Sequence, residues 1–191
     1  MEVEKIPEAP YINIKRQTQK GIKRIEVRPD VVVAEENANL AYTKYMVYCG
    51  THPVGYVSLI DKEYGVWVDY IKNCSADKYS GLGKIADQIE VEHCLKRGLK
   101  NFDILSDATP STLAIHYKRG KRFEYIENNS VNNILRKRYG TYNINIIIEQ
   151  FLKKNLPVDI GEIGDCVPMF MPKDLIKKYT EIIKKYPLLK W

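Results

Sequence analysis

The sequence predicts an α+β protein: a mixed, mostly antiparallel sheet flanked by helices. Three observations lead there. Three β-rich runs, Tyr42–Cys49, 54–59 and 66–74, are separated only by turn residues, which is hairpin spacing. A glycine-bearing segment, Ser80-Gly81-Leu82-Gly83, then leads into a helical periodicity. Beyond it, short strand and helix patterns alternate, so the helices enter late.

Taken in order, residues 1–20 are polar, with Pro7 and Pro10, and read as a lead-in or an edge strand. Residues 22–27 alternate Ile22, Arg24 and Glu26 against Lys23, Ile25 and Val27, the period of a strand. Residues 33–42 read as a short helix before the sheet. After the third β-run a helix is expected, with Leu82, Ile85, Ala86 and Ile89 on one face, Lys84, Asp87, Glu90 and Lys96 off it, and Gly98 as its stop. Residues 102–105 form a short strand. Thr109-Pro110 caps a helix carrying Leu113, Ala114 and Tyr117 and ending at Gly120. Residues 122–126 alternate as a strand, 128–133 form a polar connector, and 142–148 are expected as a strand with Ile144, Ile146 and Ile148 on one face. Residues 155–172 read as loop. Residues 172–186 are an amphipathic helix with Leu175, Ile176, Tyr179, Ile182, Ile183 and Tyr186 in one stripe.

Composition bounds the function. The 191 residues, 22.2 kDa, suit one compact domain, and 45% hydrophobic against 28% charged residues can build a core. No apolar run reaches the about 20 residues that span a bilayer. The Met1-Glu2-Val3-Glu4-Lys5 start has no apolar stretch behind a basic patch, so no secretory signal is expected. Cys49, Cys74, Cys94 and Cys166 stand at no zinc-ligand spacing, so no metal site is expected, and the chain reads as reduced and cytoplasmic. A thiol nucleophile is rejected, because only His93 neighbours Cys94 and it points elsewhere on a helix. The net charge of +6 is uneven: residues 1–117 carry 15 basic and 16 acidic groups, residues 118–191 carry 15 and 8.

A strand running through Ser80-Gly81-Leu82-Gly83 into a helix turns backbone amides and the positive end of a helix dipole to one point, which suits phosphate. The Walker spacing does not fit, because Gly81 and Gly83 are too close. The dinucleotide fingerprint meets Ala86 at its third position, behind hairpins rather than a βαβ unit.

Here the chain resembles the GNAT superfamily of acetyl-CoA-dependent N-acyltransferases. The family's Arg/Gln-x-x-Gly-x-Gly/Ala signature would be Lys78-Tyr79-Ser80-Gly81-Leu82-Gly83, with Lys78 in the Arg/Gln place. Downstream, Arg97-Gly98, the 102–105 strand, then Ser111, Ala114, Tyr117, Gly120 and Phe123 follow the family's order, with Ser111 where asparagine is usual. The resemblance covers residues 22–127 and is best over 66–123.

The resemblance implies a GNAT-like acyl-CoA N-acyltransferase fold with a C-terminal extension. The organisation would be a lead-in over 1–20, an acetyltransferase domain over 21–150, and a loop with a basic amphipathic helix over 151–191. It implies acetyl-CoA as cosubstrate and direct attack by an amine acceptor, a small molecule or a protein. The pantetheine arm would pair along 70–73, with Ile71, Lys72 and Asn73 in contact. The pyrophosphate would lie on Lys78, Tyr79, Ser80, Gly81, Leu82, Gly83 and Lys84, and Ser111 would hydrogen-bond CoA. Tyr117 is the expected acid for the leaving thiolate; its plainer reading is a core tyrosine. Asp69 is the expected base, directly or through water, against the plainer reading of a solvent-facing strand carboxylate. Glu63, Asp107 and His116 are weaker candidates.

Two basic clusters remain. Lys118, Arg119, Lys121, Arg122, Arg136, Lys137 and Arg138 lie near Tyr139 and Tyr142, a composition that can track nucleic acid, hold the CoA 3′-phosphate or meet acidic substrates. The lysines of the last helix read as a solvated face. The alternative function is therefore a GNAT-fold protein that binds nucleic acid or modifies a base or tRNA through this surface. The extension after about residue 128 would shape the acceptor site or an oligomer interface, a homodimer's among them.

Overall fold

The computed structural model describes residues 9–164 and 166–190. The part of the expected lead-in on residues 1–8 lies outside them. The chain divides into two compact units, Met1–Ile104 with Ile176–Trp191, and Leu105–Leu175.

The first unit opens with β1 (Ile12–Thr18) and β2 (Gly21–Val27), an antiparallel hairpin. β3 (Asp30–Asn37), β4 (Tyr42–Cys49), β5 (His52–Lys62) and β6 (Gly65–Asn73) follow as successive antiparallel neighbours. The helix expected over 33–42 is thus corrected to a strand and a three-residue 3-10 turn, Ala38–Leu40, capped by the Asn37 side chain. The helix formers Ala34, Glu35 and Glu36 are overridden because β3 bonds to β4 along its length, with one bulge between Val33 and Glu35. β4 alternates partly buried and buried residues throughout, and Tyr45 and Val47 face the core.

β7 (Tyr79–Ser80) pairs with β1, so β1 is the central strand of the β2-β1-β7 sheet, not an edge. α1 (Leu82–Lys96) follows. Its apolar face is the expected one: Leu82, Ile85, Ala86 and Ile89 are buried. Its other face is buried too, with Asp87, Gln88, Glu90 and Glu92 all at 0% exposure. The C-terminal part of the unit covers it. The Tyr179 hydroxyl lies 3.5 Å from Asp87 Oδ2, Gln88 Nε2 donates to the Tyr186 carbonyl at 2.8 Å, and Glu92 accepts the Leu188 and Leu189 amides at 3.0 and 2.7 Å. Arg28 donates to the same Tyr186 carbonyl at 2.8 Å and to the Pro10 carbonyl at 2.7 Å. Asp87, Gln88 and Glu92 are therefore not a solvent face; the Asp87 and Glu92 carboxylates each meet a donor, which is what makes their burial tolerable.

β8 (Asp103–Ala108) carries the chain into the second unit. There a 3-10 turn, Pro110–Thr112, leads into α2 (Leu113–Lys118), followed by β9 (Arg122–Phe123). α3 (Asn129–Tyr139) replaces the expected polar connector; the Asn128 side chain caps it by accepting the Ser130 and Val131 amides. α4 (Ile144–Lys153) replaces the expected 142–148 strand. Asn143 is its cap, accepting the Asn145 amide at 3.0 Å, and the buried set is Ile144, Ile147 and Ile148, a helical and not an alternating pattern. β10 (Val167–Phe170) lies inside the expected loop and pairs with both β8 and β9. The core of this unit joins Leu113, Phe123, Leu135, Ile144, Ile147, Ile148, Ile160 and Val167. α5 (Lys173–Lys185) is the expected amphipathic helix, and within the first unit it buries Ile176, Tyr179, Ile182 and Ile183, each worth about 1.5–3 kcal/mol of apolar burial. No described helix is long and apolar enough to cross a membrane.

Candidate active site

The glycine segment sits where the sequence placed it, between a strand and the long helix. Gly81 is the residue before α1, at φ +100, and no side chain caps the helix. A Cβ there would stand 2.4 Å from the Tyr11 carbonyl oxygen, so both the left-handed backbone and the approach of the chain just before β1 demand glycine. Gly55 on β5 serves the same entry: a Cβ on it would meet the Leu82 side chain at 2.7 Å and the Lys72 carbonyl at 2.1 Å. The first turn of α1 therefore sits directly on the β5–β6 pair.

The loop is tied within itself. Asn73 Nδ2 donates to the Tyr79 carbonyl at 3.1 Å, and its Oδ1 accepts the Ser75 amide at 3.0 Å. The Ser75 carbonyl accepts the amides of Lys78 and Tyr79 at 3.0 and 2.9 Å, and the Gly81 carbonyl accepts Lys84 at 3.1 Å. The Lys15 amide donates to the Lys78 carbonyl at 2.8 Å. Amides of Lys78, Tyr79 and Lys84 are thus engaged inside the loop, while the side chains of Lys78 and Lys84 are exposed. Tyr79 and Leu82 are buried; Ser80, Gly81 and Gly83 are partly buried.

β6 supplies the strand leading to the loop. Ile71, Lys72 and Asn73 pair with Val57, Tyr56 and Gly55. One residue earlier the register breaks: Leu59 pairs with Val68 and Ser58 with Tyr70, which leaves Asp69 as the extra residue of a β-bulge. Asp69 and Lys72 are exposed, and Ile71 and Asn73 partly buried. The alternation of 66–74 carries no sign of this bulge, which re-aims the backbone just where the sequence had placed a carboxylate.

Ser111 and Tyr117 belong to the second unit. Ser111 is exposed in the 3-10 turn, and its hydroxyl meets that of Thr109 at 3.1 Å. Thr109 makes no side-chain cap to a backbone amide. Tyr117 is partly buried on α2. Its hydroxyl donates to Glu149 Oε1 on α4, and the Arg122 guanidinium lies over its ring at 4.4 Å. Burial and the Glu149 hydrogen bond push the phenol above its ordinary value, against a smaller opposing pull from Arg122. Glu149 escaped sequence reasoning because residues 142–148 alternate like a strand. The signal that could have found it is Asn143, a cap residue ahead of apolar positions 144, 147, 148 and 151. Among the weaker candidates, Glu63 is exposed in the β5–β6 turn, Asp107 is exposed on β8, and His116 is partly buried beside Tyr117.

The 118–138 basic cluster is not one surface. Lys121 is 1% exposed and Arg122 lies on Tyr117, while Arg136, stacked on Tyr142 at 4.9 Å, and Arg138, paired with Glu162, stay exposed. Lys118 and Lys137 are exposed. All four cysteines are free; burial pushes Cys94 up to about 12, so it is a packing thiol and no nucleophile.

A second polar chain lies in the first unit, running from a buried tyrosine to an exposed arginine. The Tyr45 hydroxyl and His93 Nδ1 are 2.8 Å apart, His93 Nε2 is 2.6 Å from Asp61 Oδ1, and Arg97 Nε is 3.4 Å from Asp61 Oδ2. Tyr45 is 2% exposed and closes the inner end of this chain, which ties α1 to β4 and β5.

No family model and no curated protein matches the sequence. Several solved structures are similar to it, among them the following two. One is a Bacillus subtilis acetyltransferase in complex with CoA, 17% identical, over 75% of this chain and 98% of that one, with a TM-score of 0.47. The other is a candidate acetyltransferase of the GNAT family from Bacteroides thetaiotaomicron, 14% identical, over 78% of this chain and 75% of that one, with a TM-score of 0.38.

Proposed function

We propose that this chain is an acetyl-CoA-dependent N-acetyltransferase that passes acetyl to an amine acceptor by direct attack. The observation that carries the reading is the strand–glycine–helix junction: β6 enters a self-bonded loop, Gly81 turns in the left-handed region, and α1 begins with no side-chain cap. Such a junction offers the positive end of a 15-residue helix to a pyrophosphate. Lys78 and Lys84, both exposed, supply full charges beside it. Ile71, Lys72 and Asn73 would meet the pantetheine arm, and Ser111 the nucleotide. The bulge at Asp69 supports a strand whose backbone is turned outward beside the thioester, with Asp69 able to reach water. Tyr117 would return a proton to the leaving thiolate.

The acceptor is a primary amine on a small molecule or a protein. Four free thiols support a reducing compartment, the cytoplasm. The nucleic-acid reading has less behind it, because Lys121 is buried and Arg122 lies on the Tyr117 ring, which takes two of the seven basic residues out of the surface that suggested it.

The test is thermal denaturation with and without acetyl-CoA. A rise in Tm that grows with ligand concentration is expected; no rise with any acyl-CoA would sink the reading.

A further inference from the structure

We propose that Glu149 is the proton acceptor behind Tyr117, so that the phenol relays the acceptor amine's proton inward and returns it to the departing thiolate. This rests on the acetyltransferase reading above and assigns the proton to Glu149 rather than to Asp69.

The direction of one hydrogen bond sets the starting state of the pair. A phenol has a single proton, and here it is committed to a carboxylate oxygen of Glu149. The lone pairs of the Tyr117 oxygen are what remain for an incoming donor. A tyrosine so placed cannot begin as an acid toward sulfur; it begins as an acceptor. Attack by the amine on the thioester carbonyl gives a tetrahedral adduct with a cationic nitrogen and an oxyanion. The nitrogen's proton passes to the Tyr117 oxygen as the phenol's own proton passes to Glu149. The oxyanion then re-forms the carbonyl and the carbon–sulfur bond breaks. Its electron pair leaves on sulfur, which takes a proton from Tyr117 while Glu149 returns one to the phenol. Amide, thiol and the starting pair are the products, and no further reactant is needed.

The surroundings fit a working pair better than a structural tie. α4 is already seated without Glu149: Ile147 and Ile148 are fully buried, and the Asn145 side chain brackets Phe123 on β9, accepting its amide at 3.0 Å and donating to its carbonyl at 2.9 Å. Arg122 from β9 lies over the Tyr117 ring and helps the phenol oxygen carry transient negative charge. The other charged neighbours in sequence, His116 and Lys118, share α2 with Tyr117. Glu149 is a positioning residue in this scheme, since it acts through Tyr117.

The experiment compares wild type, Glu149→Gln and Glu149→Asp for thiol release from acetyl-CoA, with butylamine, with an Nα-blocked lysine amide and with water alone. Tm and acetyl-CoA binding are measured on each protein. Glutamine can still accept the phenol's hydrogen bond but cannot take its proton. Expected are a drop in kcat of about 100-fold for Glu149→Gln, an unchanged KM for acetyl-CoA, and partial recovery in Glu149→Asp. Nuclear magnetic resonance of the Tyr117 ring should show its titration moving down in Glu149→Gln. Unchanged kcat in Glu149→Gln, equal losses in Gln and Asp, or a loss of acetyl-CoA binding in step with kcat overturns the proposal while leaving the acetyltransferase reading standing. A wild-type protein that does not bind acetyl-CoA, or releases no thiol under any of the three conditions, overturns both.

Discussion

His93 Nε2 stands 2.6 Å from Asp61 Oδ1, and the same imidazole meets the Tyr45 hydroxyl through its other nitrogen at 2.8 Å. A histidine on the long helix is thereby clamped between two strands of the sheet.

That clamp makes a pH prediction. Burial lowers the imidazole from its ordinary 6.5, more than Asp61 raises it. The folded chain then binds this proton less readily than the unfolded chain. His93 contributes its full stability above 6.5, and the contribution is lost as pH falls from 6.5 toward the lower folded value. Glu92, raised by burial, works in the opposite sense above 4.5. The comparison is therefore wild type against His93→Gln: denaturation midpoints of the two should converge as pH drops through that window. A constant difference would remove the imidazole from the account.

Glu92 should be worth more than its place on a helix suggests. It accepts the amides of Leu188 and Leu189 from inside the first unit, at 0% exposure. Glu92→Ala is expected to cost about 1.5–3 kcal/mol. Hydrogen exchange at those two amides should accelerate in the variant while exchange in β4 holds.

Position 81 tolerates no side chain, for reasons that precede any ligand. Gly81→Ala would need φ +100 and push the Tyr11 carbonyl, so a loss of more than about 1 kcal/mol is expected, read as a lower urea midpoint. Binding is better probed at Lys78→Glu and Lys84→Glu, whose exposed side chains leave the fold alone. Isothermal titration should show weaker acetyl-CoA binding in both, with less salt dependence than wild type.

Asn143→Ala should cost about 0.5–2 kcal/mol, because it uncaps α4. Asn143 is exposed, so chemical denaturation reads the cap with little contribution from packing.

Some of this was legible in residues and some was not, for physical reasons. β4 and α5 announce themselves by period, since each buries one continuous face; α1 announces itself by its apolar residues, while the burial of its polar side leaves no such mark. α3 does not, because among its eleven residues only Asn132 and Leu135 are buried and no stripe forms. The isoleucines at 144, 146 and 148 fit a strand as well as a helix; only the cap at Asn143 separates the two. The second half of β3, Ala34, Glu35 and Glu36, goes against its own residues, its partner strand deciding. The glycine segment was legible because a left-handed turn leaves a compositional mark. Glu149 was not, since a contact 32 positions from Tyr117 is made by packing alone.

The first unit is discontinuous along the chain. Residues 105–175 are translated between α1 and the segment that closes over it. While a ribosome is still extending that insert, the Glu92 carboxylate has no Leu188 or Leu189 amide to meet, and the polar side of α1 stands open. The hydrogen bonding of the first unit is therefore completed by residues made after the whole insert, 186 to 189 among them.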